Sequence, residues 1–226
     1  MSRVPKHPHF DAWRIFRILS EFVDGFESMA DTQPSVSFFG SARTSAEDPY
    51  YQLAVETSKK IASRGFSIIT GGGPGIMEAA NKGAKEAGGR SCGLSINLPF
   101  EDEDNPYIDP KYSLHFRYFF VRKVMFVRYA QAFVVLPGGL GTLDELFESL
   151  TLIQTKKIKP FPIFLMGKEY WRGLLEWLKN ETLQRGHIAE QDFDLFCLTD
   201  DPDEVVEKIE EHYKSAGEVP TFDLNS

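Results

Sequence analysis

Cysteine is scarce in this chain, and the two that occur, Cys92 and Cys197, lie far apart in the sequence. A disulfide-stapled secreted scaffold needs several cysteines that can pair, so this class of protein is excluded. Cysteine and histidine do not occur at the close spacings of a zinc site either. We therefore expect both cysteines to be reduced and structural, and we predict neither a metal site nor a cofactor.

Long apolar runs are also missing. No stretch approaches the roughly 20 apolar residues that a membrane-spanning helix needs. Residues 1–9 lack the apolar segment that forms the centre of a signal peptide. From these absences we predict a cytoplasmic protein with no membrane partner.

Basic residues are outnumbered, with 25 lysines and arginines against 33 aspartates and glutamates, which gives a net charge of -8. Broad nucleic-acid binding requires a basic surface that displaces counterions from phosphates. The acidic balance therefore argues against a nucleic-acid partner. Any phosphate that this chain binds must be held by local donors.

The rest of the composition is ordinary for a globular protein, and apolar runs alternate with helical patterns along the 226 residues. Such a pattern is typical of one sizeable domain in which strands and helices alternate along the chain. We predict an α/β fold: a Rossmann-like, doubly wound, mainly parallel sheet with helices on both faces, plus an N-terminal helix. The predicted strands are Val36–Phe39, Phe66–Thr70, Ser91–Ile96, Ser113–Phe116, Ala132–Leu136 and Pro162–Met166.

The segment before the first strand has its own pattern. Its apolar residues recur at steps of three and four, which predicts a helix with an apolar stripe: Ala12, Ile15, Phe16, Leu19, Phe22, Val23 and Phe26. Packing on its own domain and oligomerisation both explain such a stripe. We divide the chain into a helical extension at residues 1–30, a Rossmann-like domain at 31–214 and a flexible tail at 215–226.

Two glycine-rich turns carry the strongest chemical signal. The segment Pro137–Glu145 follows a predicted strand and opens a helix, and Gly71–Gly75 does the same after another strand. Glycines allow backbone N–H groups to point at a ligand, and a helix N-terminus adds free donors and a positive dipole end. Because ligands of open α/β sheets bind beyond the carboxyl ends of the strands, both turns are expected to line one anion-binding crevice.

Known nucleotide fingerprints narrow the choice of ligand. After the first strand stands only Gly40–Arg43, which lacks the G-x-G-x-x-G pattern of dinucleotide-binding folds, and no Walker A sequence is present. A nicotinamide cofactor and ATP hydrolysis are therefore disfavoured. A nucleoside monophosphate or another small phosphate ester is favoured instead.

Both glycine segments resemble one family. Gly71–Asn81 and the PGGxGTxxE segment Pro137–Glu145 are similar to the Lonely Guy proteins, once widely labelled lysine decarboxylases, and the resemblance covers about Val36–Leu178. It implies hydrolysis of the N-glycosidic bond of nucleoside 5'-monophosphates, including cytokinin riboside monophosphates, to free base and ribose 5-phosphate. It also implies a homo-oligomer of at least two subunits, and up to a hexamer given the N-terminal extension.

The resemblance matches Arg122 and Lys123 to the family's Arg-Lys pair, and it makes Arg122 and Glu145 the catalytic candidates. Breaking a glycosidic bond builds positive charge on the ribose, so a carboxylate beside the sugar lowers the barrier. Two structural alternatives stay open from the residues alone. Glu145 completes a capping box with Thr142, and Arg122 either forks onto an anion or extends from an apolar face into water.

The remaining candidates are binding residues. Phosphate is expected at the glycine turns, and Glu78 and Asn81 lie three apart on one helix face, as ribose or base ligands or else as a first-turn acid and a surface amide. Lys123, Ser41 and Arg43 have solvated alternatives of the same kind. The predicted binding residues are Gly72, Gly73, Glu78, Asn81, Gly138, Gly139, Leu140, Gly141, Thr142, Lys123, Ser41 and Arg43.

Other functions remain as alternatives. The same architecture resembles molybdenum-cofactor carrier proteins, which bind a phosphorylated pterin without catalysis, but the presence of both Arg122 and Glu145 favours the hydrolase. A pyridoxal-phosphate decarboxylase needs a Schiff-base lysine and an acid on the pyridine nitrogen, and neither is identified here. Single-stranded DNA binding on a related sheet is opposed by the acidic charge balance.

Overall fold

A computed structural model of the protein describes residues 8–96 and 105–216. The elements below are numbered in chain order within these ranges. The helices are α1 (Pro8–Met29), α2 (Pro49–Ala62), α3 (Ile76–Glu86), α4 (Phe119–Tyr129), α5 (Leu140–Gln154), α6 (Lys168–Trp177) and α7 (Pro202–Ala216). The strands are β1 (Ser35–Phe39), β2 (Ser67–Thr70), β3 (Ser91–Ile96), β4 (Ser113–Phe116), β5 (Ala130–Val135), β6 (Ile163–Leu165) and β7 (Cys197–Leu198).

The strands form one parallel sheet in the order β4-β3-β2-β1-β5-β6-β7. The chain moves outward from β1 to β4, then returns to the other side of β1 with β5. This reversal leaves the loops after β1 and β5 running to opposite sides, which opens a crevice at the carboxyl edge. Phe39 of β1 lies opposite Val135 of β5, so the two strands end at the same level.

Alternating side chains of the central strands build a core on each face of the sheet. Along β5, Phe133 and Val135 join one apolar cluster, whereas Ala132 and Val134 join the other. The first cluster is covered by α1, α4, α5 and α6, and the second by α2, α3 and α7. The predicted fold class, a parallel α/β sheet with helices on both faces, is confirmed.

Near the C-terminus, the start of the last helix matches the prediction from the sequence, but its end and the strand before it do not. Asp201 accepts a hydrogen bond from Asp203 N at 2.9 Å just before α7, which confirms the predicted helix start. The helix continues to Ala216, beyond the predicted end near His212, and the strand β7 was not predicted. The first two residues of the predicted tail at 215–226 therefore belong to this helix, and residues 217–226, like residues 1–7, lie outside the described ranges.

The predicted stripe of α1 is divided between two environments. Phe22 and Phe26 pack against the core. Other stripe residues are exposed, and their exposed fractions are 56% for Ile15, 62% for Phe16 and 53% for Leu19. Packing on the domain therefore accounts for Phe22 and Phe26 but leaves Ile15, Phe16, Leu19 and Val23 exposed. Within the described ranges, no helix combines the length and apolarity needed to cross a bilayer.

Helices α2 and α3 approach so closely that only glycine fits at Gly83. A Cβ atom at this position would lie 2.1 Å from Ser58 Oγ and 2.3 Å from the Val55 carbonyl oxygen. Gly173 in α6 has no heavy atom within 4 Å of the corresponding position. Gly83 and Gly173 are both helix glycines, but packing requires a glycine at Gly83 and not at Gly173. Substituting each with alanine therefore gives a test and its control.

We expect Gly83→Ala to lower the free energy of unfolding by about 1–3 kcal/mol, because the added methyl group forces α2 and α3 apart. Gly173→Ala is expected to raise it by up to about 1 kcal/mol through better helix propensity. Urea unfolding followed by circular dichroism measures both. Shifts of the same sign would contradict this packing argument.

Candidate active site

Hydrogen bonds join three loops at the carboxyl edge of the sheet. Ser41 N, after β1, donates to the Pro137 carbonyl at 2.9 Å, and Ile76 N donates to the Ser41 carbonyl at 3.0 Å. The loop after β1 is thus attached to the loops after β5 and β2. Residues that are far apart in the sequence meet at this junction.

Two glycines of the motifs are required by close packing at the same junction. Gly75 has a φ of +67°, and a Cβ there would lie 2.4 Å from the Ser41 carbonyl oxygen. A Cβ at Gly138 would lie 2.1 Å from Thr142 Oγ1. These positions therefore shape the crevice and allow the loops to approach each other.

The crevice contains a cavity of about 670 Å³, within the size range of small-molecule sites. The loops after β1, β2 and β5 form its walls together with the first turns of α4 and α5. It brings together nine of the predicted site residues: Ser41, Arg43, Gly73, Arg122, Gly139, Leu140, Gly141, Thr142 and Glu145.

The first turn of α5 lines the cavity with Leu140, Gly141 and Thr142. Gly139 is the N-cap, and the first amide bonded within the helix is Leu143 N, which donates to the Gly139 carbonyl at 3.0 Å. The N–H groups of Leu140, Gly141 and Thr142 precede it and have no acceptor within the helix. Together with the positive dipole end, this turn suits a bound phosphate.

The capping-box interpretation of Glu145 is wrong. Helix α5 begins at Leu140, and its N-cap is a glycine without a side chain. Thr142 is therefore the third helical residue and no cap, and Glu145 lies in the second turn. The extended Gly139 allows the helix to begin earlier than the Thr-x-x-Glu spacing predicts.

Glu145 is a buried acid on the cavity wall, with 6% of the residue exposed. Burial raises its pKa to about 7, because the charged carboxylate loses hydration. The cations Lys123 and Arg122 act in the opposite direction, and Glu148 and Asp144 add to the upward shift. Near pH 7 the carboxyl group therefore exchanges between its neutral and ionised forms.

Arg122 reaches into the cavity from α4. Its guanidinium carbon lies 5.1 Å from the Phe119 ring centroid and 5.7 Å from that of Phe126, and both rings also line the cavity. These cation–π contacts hold the guanidinium at the wall of the cavity that Glu145 also lines. The alternative in which Arg122 extends away from the crevice does not match this placement.

Five predicted binding residues are absent from the cavity lining. Asn81 is fully buried; its amide donates to Ser91 Oγ at 2.8 Å, and its oxygen accepts from Thr70 Oγ1 at 2.6 Å. Thr70 Oγ1 in turn accepts from Gly72 N at 3.0 Å, so Asn81 supports the second glycine turn and is no surface amide. The other residues outside the lining are Gly72, Glu78, Gly138 and Lys123.

Glu78 and Lys123 have partners within the protein. Glu78 Oε1 accepts from the Tyr51 hydroxyl at 2.7 Å. Lys123 Nζ lies among carboxylates of α5, 2.9 Å from Asp144 Oδ2 and 2.6 Å from Glu148 Oε2. Sequence patterns place these residues near the crevice but do not reveal which way their side chains point.

The apolar walls of the cavity were not predicted from the sequence. The residues that form them read as ordinary core positions at strand ends and on helices: Phe39, Met77, Ile96, Phe119 and Phe126. The sequence signal for such a wall is that residues such as Phe39 and Met77 lie next to the glycine-containing loops in the chain. Among residues 8–96 and 105–216, no group of three His, Cys, Asp or Glu side chains is placed to hold a metal ion.

Solved structures of other proteins share this architecture. The molybdenum cofactor carrier protein of Chlamydomonas reinhardtii matches with a TM-score of 0.59 and 22% identity, over 80% of this chain and 98% of that one. A molybdenum cofactor binding protein of Rippkaea orientalis matches with a TM-score of 0.53 and 21% identity, over 78% and 94%. At these identities the likeness establishes the fold alone.

Sequence comparison gives relatives with assigned activities. The cytokinin riboside 5'-monophosphate phosphoribohydrolase LOG of Oryza sativa subsp. japonica is 29% identical over 181 residues, 77% of this chain and 72% of the relative. The enzyme LOG3 of Arabidopsis thaliana is 26% identical over 181 residues, 77% and 80%. The probable rice enzyme LOGL2 is 28% identical over 169 residues, and the match spans 72% of this chain and 66% of that relative.

A family model described as "Possible lysine decarboxylase" matches residues 77–209, more than half of the chain. The match includes the PGGxGTxxE segment and both cavity residues Arg122 and Glu145. The chain therefore belongs to this family, the Lonely Guy (LOG) proteins.

Proposed function

We propose that the protein hydrolyses the N-glycosidic bond of nucleoside 5'-monophosphates and releases the free base and ribose 5-phosphate. One observation carries the proposal: a single cavity combines a helix N-terminus suited to phosphate with the buried carboxylate of Glu145. The activity named for the rice and Arabidopsis relatives supports the same reaction. The candidate substrates are AMP and cytokinin riboside 5'-monophosphates.

The spacing along α5 supports a definite orientation of the substrate. Thr142 and Glu145 are three residues apart and therefore share one face of the helix, about 5 Å apart along its axis. A phosphate at the first-turn N–H groups places the attached ribose next to Glu145. Because the ribose links the 5'-phosphate to the anomeric carbon, a phosphate bound at the first turn brings the anomeric carbon to the carboxylate.

In the proposed reaction, Glu145 acts in its ionised form. As the bond from the anomeric carbon to the base nitrogen breaks, positive charge develops on the ribose ring, and the carboxylate stabilises it. A water molecule adds its oxygen to the anomeric carbon, and the departing base takes up a proton. Arg122, held against Phe119 and Phe126, orients the carboxylate or the substrate.

The apolar walls provide a place for the base. Phe39, Phe126, Met77 and Ile96 line the same cavity as the first turn of α5. Flat aromatic and flexible apolar side chains suit a planar purine and an apolar substituent on it. We propose hydrolysis without a metal or cofactor, so activity is expected to persist after dialysis against a chelator.

A non-catalytic carrier of a phosphorylated cofactor is the second candidate. The likeness to molybdenum cofactor carrier proteins motivates it, because the same fold and phosphate cradle suit both roles. A carrier function alone does not explain why Glu145, a buried acid with a raised pKa, lines the same cavity as the N-terminal turn of α5. The two functions differ in a simple observable, the release of free base.

Glu145→Gln is expected to lower base release from AMP by about 100-fold or more, because it removes the charge that stabilises the transition state. Chromatography of free base and ribose 5-phosphate measures the reaction, with isopentenylated AMP and adenosine as further substrates. Glu86→Gln, an exposed change on α3, is the matched control and is expected to retain activity. If no base is released from any monophosphate while phosphate esters still raise the melting temperature, the hydrolase is contradicted and the carrier is favoured.

We expect kcat/KM for AMP to rise with pH through about 7 and then level off. The pKa of Glu145 is raised to about 7, so the ionised form that the reaction needs is lost as the pH falls below this value. The substrate phosphate titrates separately near pH 6. This rising part of the profile is called the Glu145 limb below. If kcat/KM of the wild-type protein does not rise with pH near 7, the assigned role of Glu145 is contradicted.

We also propose that the protein is a homo-oligomer whose subunits meet through the exposed face of α1. Trp13, Phe16 and Leu19 expose 67%, 62% and 53% of their surface, and a monomer rarely leaves such a cluster in water. A second copy of the chain, with the same apolar face, is a self-complementary partner.

Light scattering at micromolar concentration is expected to give at least a dimer, and the double variant Phe16→Glu/Leu19→Glu a smaller species. The control is Glu27→Gln on the same helix, which leaves the apolar face intact. A wild-type monomer would refute the oligomer.

A further inference from the structure

We propose that Lys123 is a positioning residue: its ammonium group anchors the Glu145 carboxylate on the side away from the substrate and does not bind the substrate itself. This inference rests on the proposed function, in which the ionised Glu145 stabilises the transition state. It replaces the sequence-based prediction that Lys123 contacts the ligand.

The geometry places Lys123 at the centre of a carboxylate cluster. Its Nζ lies 2.6 Å from Glu148 Oε2, 2.9 Å from Asp144 Oδ2 and 3.5 Å from Glu145 Oε2. The lysine side chain is 15% exposed, and that of Glu145 is 7% exposed, whereas the other two acids reach solvent. Lys123 therefore connects the one buried acid to two solvated ones.

Lysine is well suited to this position. Its ammonium has three N–H donors and no acceptor, which matches three carboxylates on neighbouring turns of α5. Without the cation, Asp144, Glu145 and Glu148 would repel one another, and the buried member would respond most strongly because it is least hydrated.

Helix geometry explains why the two members of the Arg-Lys pair have different tasks. Consecutive residues of α4 point about 100° apart. Arg122 consequently lines the cavity, whereas Lys123 points at α5 and is absent from the cavity lining. The ammonium is already surrounded by carboxylates, so it is not available to a substrate phosphate in this arrangement.

The charges around Glu145 determine the direction of each expected change. Lys123 and Arg122 from α4 lower the pKa of Glu145, whereas Asp144 and Glu148 from α5 raise it and burial raises it most. Arg43, on the loop after β1, lines the same cavity. Removing Lys123 therefore moves the pKa of Glu145 upward, and removing Glu148 moves it downward.

The test is the pH profile of kcat/KM for AMP between pH 5.5 and 10 in four variants. Lys123→Met is expected to shift the Glu145 limb to higher pH and to recover most activity above it; a shift of one unit slows the reaction about tenfold at pH 6. Lys123→Arg is expected to restore the limb. Glu148→Gln and Asp144→Asn are expected to shift it to lower pH, which a general loss of packing would not do.

Binding measurements separate positioning from substrate contact. Ribose 5-phosphate affinity, measured by calorimetry at pH 9, is expected to be the same in Lys123→Met and the wild type. A loss of affinity at every pH with an unshifted limb would show that Lys123 binds substrate and overturn the proposal. So would an equal rate loss at every pH that arginine does not rescue.

A spectroscopic titration keeps this test independent of the proposed reaction. In protein with 13C-labelled glutamate carboxyl groups, the Glu145 resonance is identified by its absence in Glu145→Gln. Its midpoint is expected to rise in Lys123→Met and to fall in Glu148→Gln, which preserves the lysine if Lys123→Met does not fold. Shifted midpoints without base release in the wild type would overturn the proposed function alone; unshifted midpoints would overturn the role of Lys123.

Discussion

The reversal of strand order between β1 and β5 is the constraint on which the rest of the structure depends. At this point adjacent parallel strands send their following segments to opposite sides of the sheet, so the carboxyl edge opens instead of being covered. The opening would be a loose gap without the hydrogen bonds that join Ser41 to Pro137 and Ile76 to Ser41. These bonds fix three loops relative to one another and give the cavity rigid walls.

Burial of Glu145 follows from that rigidity and also has a cost. The buried carboxyl group of Glu145 on α5 loses hydration, which destabilises its charged form. A protein selected for stability alone has no need of an ionisable group there. Helix α5 combines this acid with free N–H groups one turn earlier, so a single element supplies both an anion site and a negative charge at a fixed spacing.

The glycine motifs predicted where the cavity lies, because a glycine turn is determined by neighbouring residues in the chain. A strand, a glycine turn and a helix start can be identified from neighbouring residues, and they determine where backbone donors are exposed. The capping box failed because Thr-x-x-Glu is equally compatible with a helix that begins at Leu140. Asn81 and Lys123 were assigned to the ligand because sequence spacing gives a helix face but not the partners that this face meets.

The sequence by itself determined the alternation of strands and helices, the two glycine turns and the family to which the chain belongs, since each of these is a property of residues close together in the chain. Only the tertiary structure decided that Arg122 and Glu145 meet in one cavity while Lys123 and Asn81 turn to protein partners. It also decided that Ile15, Phe16, Leu19 and Val23 of the α1 stripe remain exposed. The physical reason is that side-chain direction, burial and charge environment depend on elements distant in sequence, which become neighbours only when the sheet has formed.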